Sequence, residues 1–195
     1  MLLALTAAAL VLSGIGPRER GTWLLEVLPV LIAAPLLIFT WQRYRLTPLA
    51  YRLIFLHALV LMLGGHYTYA HVPLGFWLQE AFDFARNPYD RIGHFMQGFV
   101  PAIVIREILL RSSPLRPGKL VFFLVCSVAL ALSAFYEFIE WWVALLLGEG
   151  AMEFLGTQGD EWDTQWDMFM CLIGATAAQL ALARIHDRAL ERLGA

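Results

Sequence analysis

The chain has 195 residues, 59% of them hydrophobic and 15% charged, with a formal net charge of −2. Ordinary soluble domains carry about 25% charged residues, and the apolar residues here gather into runs of bilayer-crossing length. A soluble globular domain is therefore excluded and an integral membrane protein expected. No basic patch suits nucleic acid, so no such partner is expected.

The apolar runs predict an all-α, polytopic membrane bundle in one domain, with six spans at 2–15, 23–41, 51–65, 92–110, 120–147 and 166–185. The first is short and anchor-like. The second carries Pro29 and Pro35, which a span tolerates where neighbouring helices satisfy the freed carbonyls. Between the third and fourth spans, residues 74–85 place Gln79, Glu80, Asp83 and Arg86 at helical spacing among aromatics, the pattern of a helix lying in the interface. Cys126 and Cys171 fall inside apolar runs and read as buried thiols.

Sidedness follows from basic residues in short loops. Arg43, Arg45, Arg52, Arg106, Arg111, Arg116, Lys119, Arg184, Arg188 and Arg192 share one face, against Arg18, Arg20, Arg86 and Arg91 on the other. The first group marks the cytoplasm and puts both termini there. Of the 16 acids only Glu107, Asp187 and Glu191 fall on that face.

The remaining acids converge where four spans meet the outer face. His66 and Tyr67 close the third span, and Asp90 and His94 open the fourth on one helical stripe, with Gln97 a turn deeper. Glu137 and Glu140 lie late in the fifth. Glu137 is 18 residues past Lys119, so about 27 Å along a helix, close to the far side of a core ~30 Å thick. In "GDEWDTQWDM", Asp160, Asp163 and Asp167 fall on one face if the sixth helix starts early.

Crowded carboxylates repel unless protons, arginines or a cation neutralise them. Asp, Glu and His suit a divalent metal such as zinc or manganese, so His66, His94, Glu137, Glu140, Asp163 and Asp167 are the expected ligands. Asp90, His94, Glu137 and Glu140 are the expected acid and base residues. Blander readings stand beside these. Asp90 also suits an N-terminal cap, and Asp160 and Glu161 solvated loop acids. His57 suits a packing residue, His71 and His186 surface groups, and Arg106 and Glu107 side chains that snorkel to the inner interface.

Four stretches, "GGHYTYAHVPLG", "NPYDRIGHFMQGFVPA", "YEFIEWW" and "GTQGDEWDTQWDMFMCLIGA", resemble the YjdF family of bacterial inner-membrane proteins over residues 49–184. The resemblance implies a polytopic protein of the bacterial inner membrane. A more distant likeness is to VanZ-like membrane proteins, associated with glycopeptide-antibiotic resistance. It is carried by Asp90, Arg91, His94 and Phe95, by Tyr136 and Glu137, and by Asp167 and Gly174. Glu140 and Cys171 stand where that family has Gln and Asn. Three functions compete: a metal-dependent enzyme on lipid-linked or phosphorylated envelope substrates, an ion or proton transporter, and a non-catalytic protein that binds lipid or envelope precursors.

Overall fold

The computed structural model describes residues 1–148 and 152–194, and those residues are helical and loop in structure, with no strand. The helices are α1 (Leu2–Ser13), α2 (Arg20–Thr40), α3 (Pro48–Tyr67), α4 (Pro73–Phe82), α5 (Tyr89–Ser112), α6 (Lys119–Leu147), the short α7 (Met152–Leu155) and α8 (Asp163–Leu193). A single 3-10 turn, Tyr69–His71, precedes α4.

Five of these, α2, α3, α5, α6 and α8, are long and apolar enough to cross a bilayer. Their outer surfaces confirm that use: Phe39, Phe123, Leu146 and Leu180 are among the many large apolar side chains left exposed. α1 differs. Its 12 residues span about 18 Å, little more than half of a hydrocarbon core.

Each long helix extends past its apolar window, because polar residues continue the helical hydrogen bonding beyond the greasy stretch. α8 is the extreme case: its 31 residues make a rod of about 46 Å. α3 starts at Pro48, with Thr47 Oγ1 accepting from the Ala50 amide at 3.3 Å, a Thr cap followed by proline at the first helical position. At α2 the cap is Glu19, whose carboxylate accepts from the amides of Gly21 and Thr22. Those two amides hold the Glu19 carboxyl below the usual range.

α5 and α8 form the central pair, α6 packs on both, α3 lies against α5, and α2 and α1 pack against α3. The central contact is backbone on backbone. A Cβ at Gly98 would lie 1.8 Å from the Cys171 carbonyl oxygen, and one at Gly174 would lie 2.0 Å from that of Phe95. Such small-residue contacts let membrane helices approach closely. Around them Val100, Ala102, Ile103, Val121, Val125, Ala129, Ala175 and Ala178 are buried.

The interfacial segment is a helix over Pro73–Phe82, with Asp83 in the left-handed region (φ 53°) as its C-cap. The turn at Asp83 stops it before residue 85. Gly75 sits so close to Asn87 that a Cβ there would fall 1.7 Å from its Oδ1.

At the basic end of the bundle the sequence expectation is overturned. Arg106, Glu107 and His186 do not reach for solvent; all three are buried, with Glu107 and His186 at 0% exposure. Glu107 accepts from the Thr47 amide (2.9 Å), the Thr47 hydroxyl (2.8 Å), Arg111 (2.8 Å) and His186 Nε2 (3.0 Å). Arg106 donates to His186 Nδ1 at 2.9 Å and pairs with Asp187 at 2.6 Å. Because a guanidinium can only donate, His186 is the neutral tautomer with its proton on Nε2, facing Glu107. Burial is tolerable here because every charge finds a partner.

Candidate functional site

The carboxylate-rich end brings together the first two turns of α5, the first two of α8 and the last turns of α6. Close packing at Gly98 and Gly174 sets the distance between the first pair. His94 is the hub. Its Nε2 lies 3.5 Å from Asp90 Oδ1 and 3.8 Å from Asp167 Oδ1, while its Nδ1 lies 2.9 Å from Gln97 Oε1. The amide oxygen can only accept, so Nδ1 carries a proton and donates it. The Nε2 atom then faces two carboxylates.

Among the described residues two overlapping groups could hold a metal ion: Asp90, His94 and Asp167, all buried, and His94, Glu137 and half-buried Glu140. In each, the ligand atoms lie within 4.8 Å of one another. Three of these acids carry a buried oxygen with no hydrogen-bond partner among the described residues: Asp90 Oδ2, Glu137 Oε1 and Asp167 Oδ1. Thr164 supports Glu137 from α8, and the Tyr136 ring stands edge-on to His94 with centroids 6.4 Å apart.

Two of the expected ligands are placed elsewhere. His66 turns its Nδ1 to the Ser13 carbonyl at 2.9 Å, tying α3 to the end of α1. Asp163 is bridged by Arg86, which also donates to the Thr157 carbonyl. Asp160 is paired with Arg91 at 3.1 Å and accepts from the Trp162 amide at 3.0 Å. It lies in the turn before α8, so of the three aspartates on the expected stripe only Asp167 joins the His94 group. Asp90 sits in the first turn of α5, two residues past the N-cap residue Pro88, and its Oδ2 has no hydrogen-bond partner among the described residues. His57 is deep in the bundle, and its Nε2 has no hydrogen-bond partner among the described residues.

One residue that the sequence reading passed over belongs to this region. Glu26, a third of the way along α2, is 6% exposed and turned toward the Tyr69 hydroxyl, close enough to feel the charges of Asp90 and His94. Tyr69 is wedged between α3 and α5: a Cβ at Gly64 would come within 2.4 Å of its ring and one at Gly93 within 2.6 Å. Burial first, then the Glu26 charge, pushes the Tyr69 phenol well above its ordinary range. The signal in the sequence was an acid in an otherwise apolar span, a pattern that marks function by default.

Comparison with known proteins gives a consistent picture. The sequence profile of a family described as "Predicted membrane protein (DUF2238)" matches residues 1–188. The chain is also 59% identical over 185 residues, 95% of its own length and 88% of the other's, to a protein of Escherichia coli (strain K12) called "Inner membrane protein YjdF". No solved structure matches.

Proposed function

The chain belongs to the DUF2238 family of predicted membrane proteins, and we propose that its His94-centred cluster binds a divalent cation, zinc or manganese, at the outer face of the bacterial inner membrane. The site would serve hydrolysis of a lipid-linked or phosphorylated envelope substrate. The observation that carries the reading is the facing of His94 Nε2 and two carboxylates at 3.5 and 3.8 Å. With Nδ1–H committed to Gln97, a cation or a proton, on the ring or on a carboxyl group, must reconcile three acceptors at that range. Tetrahedral ligands at about 2.1 Å bonds stand roughly 3.4 Å apart, close to the spacing found. Gln97 then acts as the outer hydrogen-bond partner that orients a ligating histidine.

A cation at this position supplies polarisation of a phosphoryl or carbonyl oxygen and an activated water. Glu137 and Glu140 flank it as acid and base, Glu140 being the least buried of the set. His66 and Asp163 are left out of the set, since Ser13 and Arg86 already occupy them. What supports an outward-facing site, with the C-terminus cytoplasmic, is the gathering of ten of the 14 basic residues at the opposite end; both termini are cytoplasmic when α1 inserts as a sixth crossing beside the five longer helices.

The test is elemental analysis of detergent-purified protein prepared without chelator. Near-stoichiometric zinc or manganese is expected, lost in His94→Ala, Asp167→Ala and Glu137→Ala variants that keep the wild-type melting temperature. Absence of metal after loading sinks the reading, and the cluster is then held together by protons shared among His94 and its carboxylates. Alkaline phosphatase fused to the C-terminus should be inactive; an N-terminal fusion is inactive only with α1 as a sixth crossing, and active with the five longer helices alone.

A further inference from the structure

Beside the His94 cluster, Arg91, Ile92 and Phe95 of α5 line a cavity of about 700 Å³ between α4 and the start of α8. That size falls in the range of small-molecule sites. Its wall is apolar, built from Phe82, Ile92, Phe95 and Met170, and its lip carries Arg86, Arg91 and Asp160. We propose that this groove holds one phospholipid with a primary-amine headgroup, its phosphate on Arg86 and Arg91 and its ammonium on Asp160.

Three observations carry this. First, the two guanidinium groups have donors to spare. Arg86 uses its terminal nitrogens on Asp163 and the Thr157 carbonyl, and Arg91 uses one on Asp160. The Arg91 side chain is 32% exposed, so its outer edge remains open to an occupant of the groove. A phosphate oxygen is the strongest complement of an open guanidinium edge. Arg91 is also stacked on Trp166, 4.8 Å from the ring centroid, which fixes its direction.

Second, the lip is charge-balanced: Arg86 is already neutralised by buried Asp163 behind it, which leaves Arg91 against Asp160. A headgroup carrying only negative charge would leave this lip in excess negative charge. One with both a phosphodiester and an ammonium keeps it neutral, and the Arg91–Asp160 pair at 3.1 Å presents both complements side by side. Third, the entrance is greasy. Trp77, Phe82 and Phe84 are exposed along and just after α4, as befits an amphipathic helix seated at the bilayer interface. The occupant therefore enters from the lipid phase rather than from water. The groove does not depend on the cation reading, since none of its lining residues is a proposed ligand.

The experiment uses full-length, delipidated protein in detergent, titrated with phosphatidylethanolamine or phosphatidylglycerol of identical chains and read by native mass spectrometry. One phosphatidylethanolamine per chain is expected, with phosphatidylglycerol several-fold weaker. Arg91→Gln should weaken binding about tenfold, the loss of a charge-assisted hydrogen bond. Ala85→Trp, at an exposed position lining the cavity, should do likewise by filling it without disturbing the core. His94→Ala should bind lipid as wild type does. Equal retention of the two lipids, or unchanged binding in Ala85→Trp at an unchanged melting temperature, overturns the proposal. So does loss of binding in His94→Ala.

Discussion

Replacing Gly98 by alanine tests the backbone contact that sets the site. An alanine Cβ there would lie 1.8 Å from the Cys171 carbonyl oxygen, and ordinary contact needs about 3.4 Å. The obstacle is main chain, so no rotamer change relieves it, and α5 and α8 must part by roughly 1.6 Å. His94 lies one turn from Gly98, and Asp167 one turn from Cys171 on the facing helix. The 3.8 Å between them therefore opens beyond 5 Å, too far for one cation to bridge. Overpacking costs about 1–3 kcal/mol, offset by the gain of about 1 kcal/mol from removing a mid-helix glycine. The net loss of up to about 2 kcal/mol corresponds to a melting temperature lower by roughly 4–8 °C for a chain of this size. Differential scanning fluorimetry and elemental analysis on the same preparation measure both effects. A Gly98→Ala protein that melts higher than wild type and retains its metal would refute the argument, because propensity alone would then govern the position.

Further outcomes follow from the same geometry. Gln97→Leu removes the acceptor for His94 Nδ1–H and should weaken cation affinity 10- to 100-fold with little change in melting temperature, read by competition with a chromophoric chelator. Tyr69→Phe strips the hydroxyl that faces Glu26 and should cost about 1–3 kcal/mol; Glu26→Gln should restore part of that in the double variant, measured by thermal melting. His186→Leu leaves Glu107 and Arg106 each short of a partner and should cost about 3–5 kcal/mol, visible as loss of folded protein from membranes at 37 °C. Arg188→Leu, on the exposed face of the same helix, should accumulate normally.

Five of the membrane helices were legible because hydropathy alone dictates them, and the convergence of Asp90, His94, Glu137 and Asp167 because helix length fixes depth. Direction was not legible. His66 shares that depth yet points at Ser13, and Asp163 is spoken for by Arg86, 77 residues away in sequence. Glu26 was hidden for the opposite reason: its position in the apolar run was visible, but the Tyr69 facing it comes from beyond the next helix. Snorkelling was the default for Arg106 and Glu107 only because His186, the group that makes their burial tolerable, lies in the last helix. Pairwise neutralisation between distant segments is what a single sequence conceals.

The inner network also constrains how the protein is made. Glu107 and His186 are separated by 79 residues, so at about 5–20 residues per second α5 is synthesised some 4–16 s before α8 delivers its histidine. During that interval Glu107 has Thr47 and Arg111 for company, while Arg106 lacks both His186 and Asp187. A charge unpaired at the helix centre costs about 2.5–3.5 kcal/mol on insertion scales, and Arg106, six residues from the end of α5, bears a smaller share of that. A chain interrupted before residue 186 thus carries its own chemical label of incompleteness, a lone guanidinium inside the bilayer, on which membrane quality control can act.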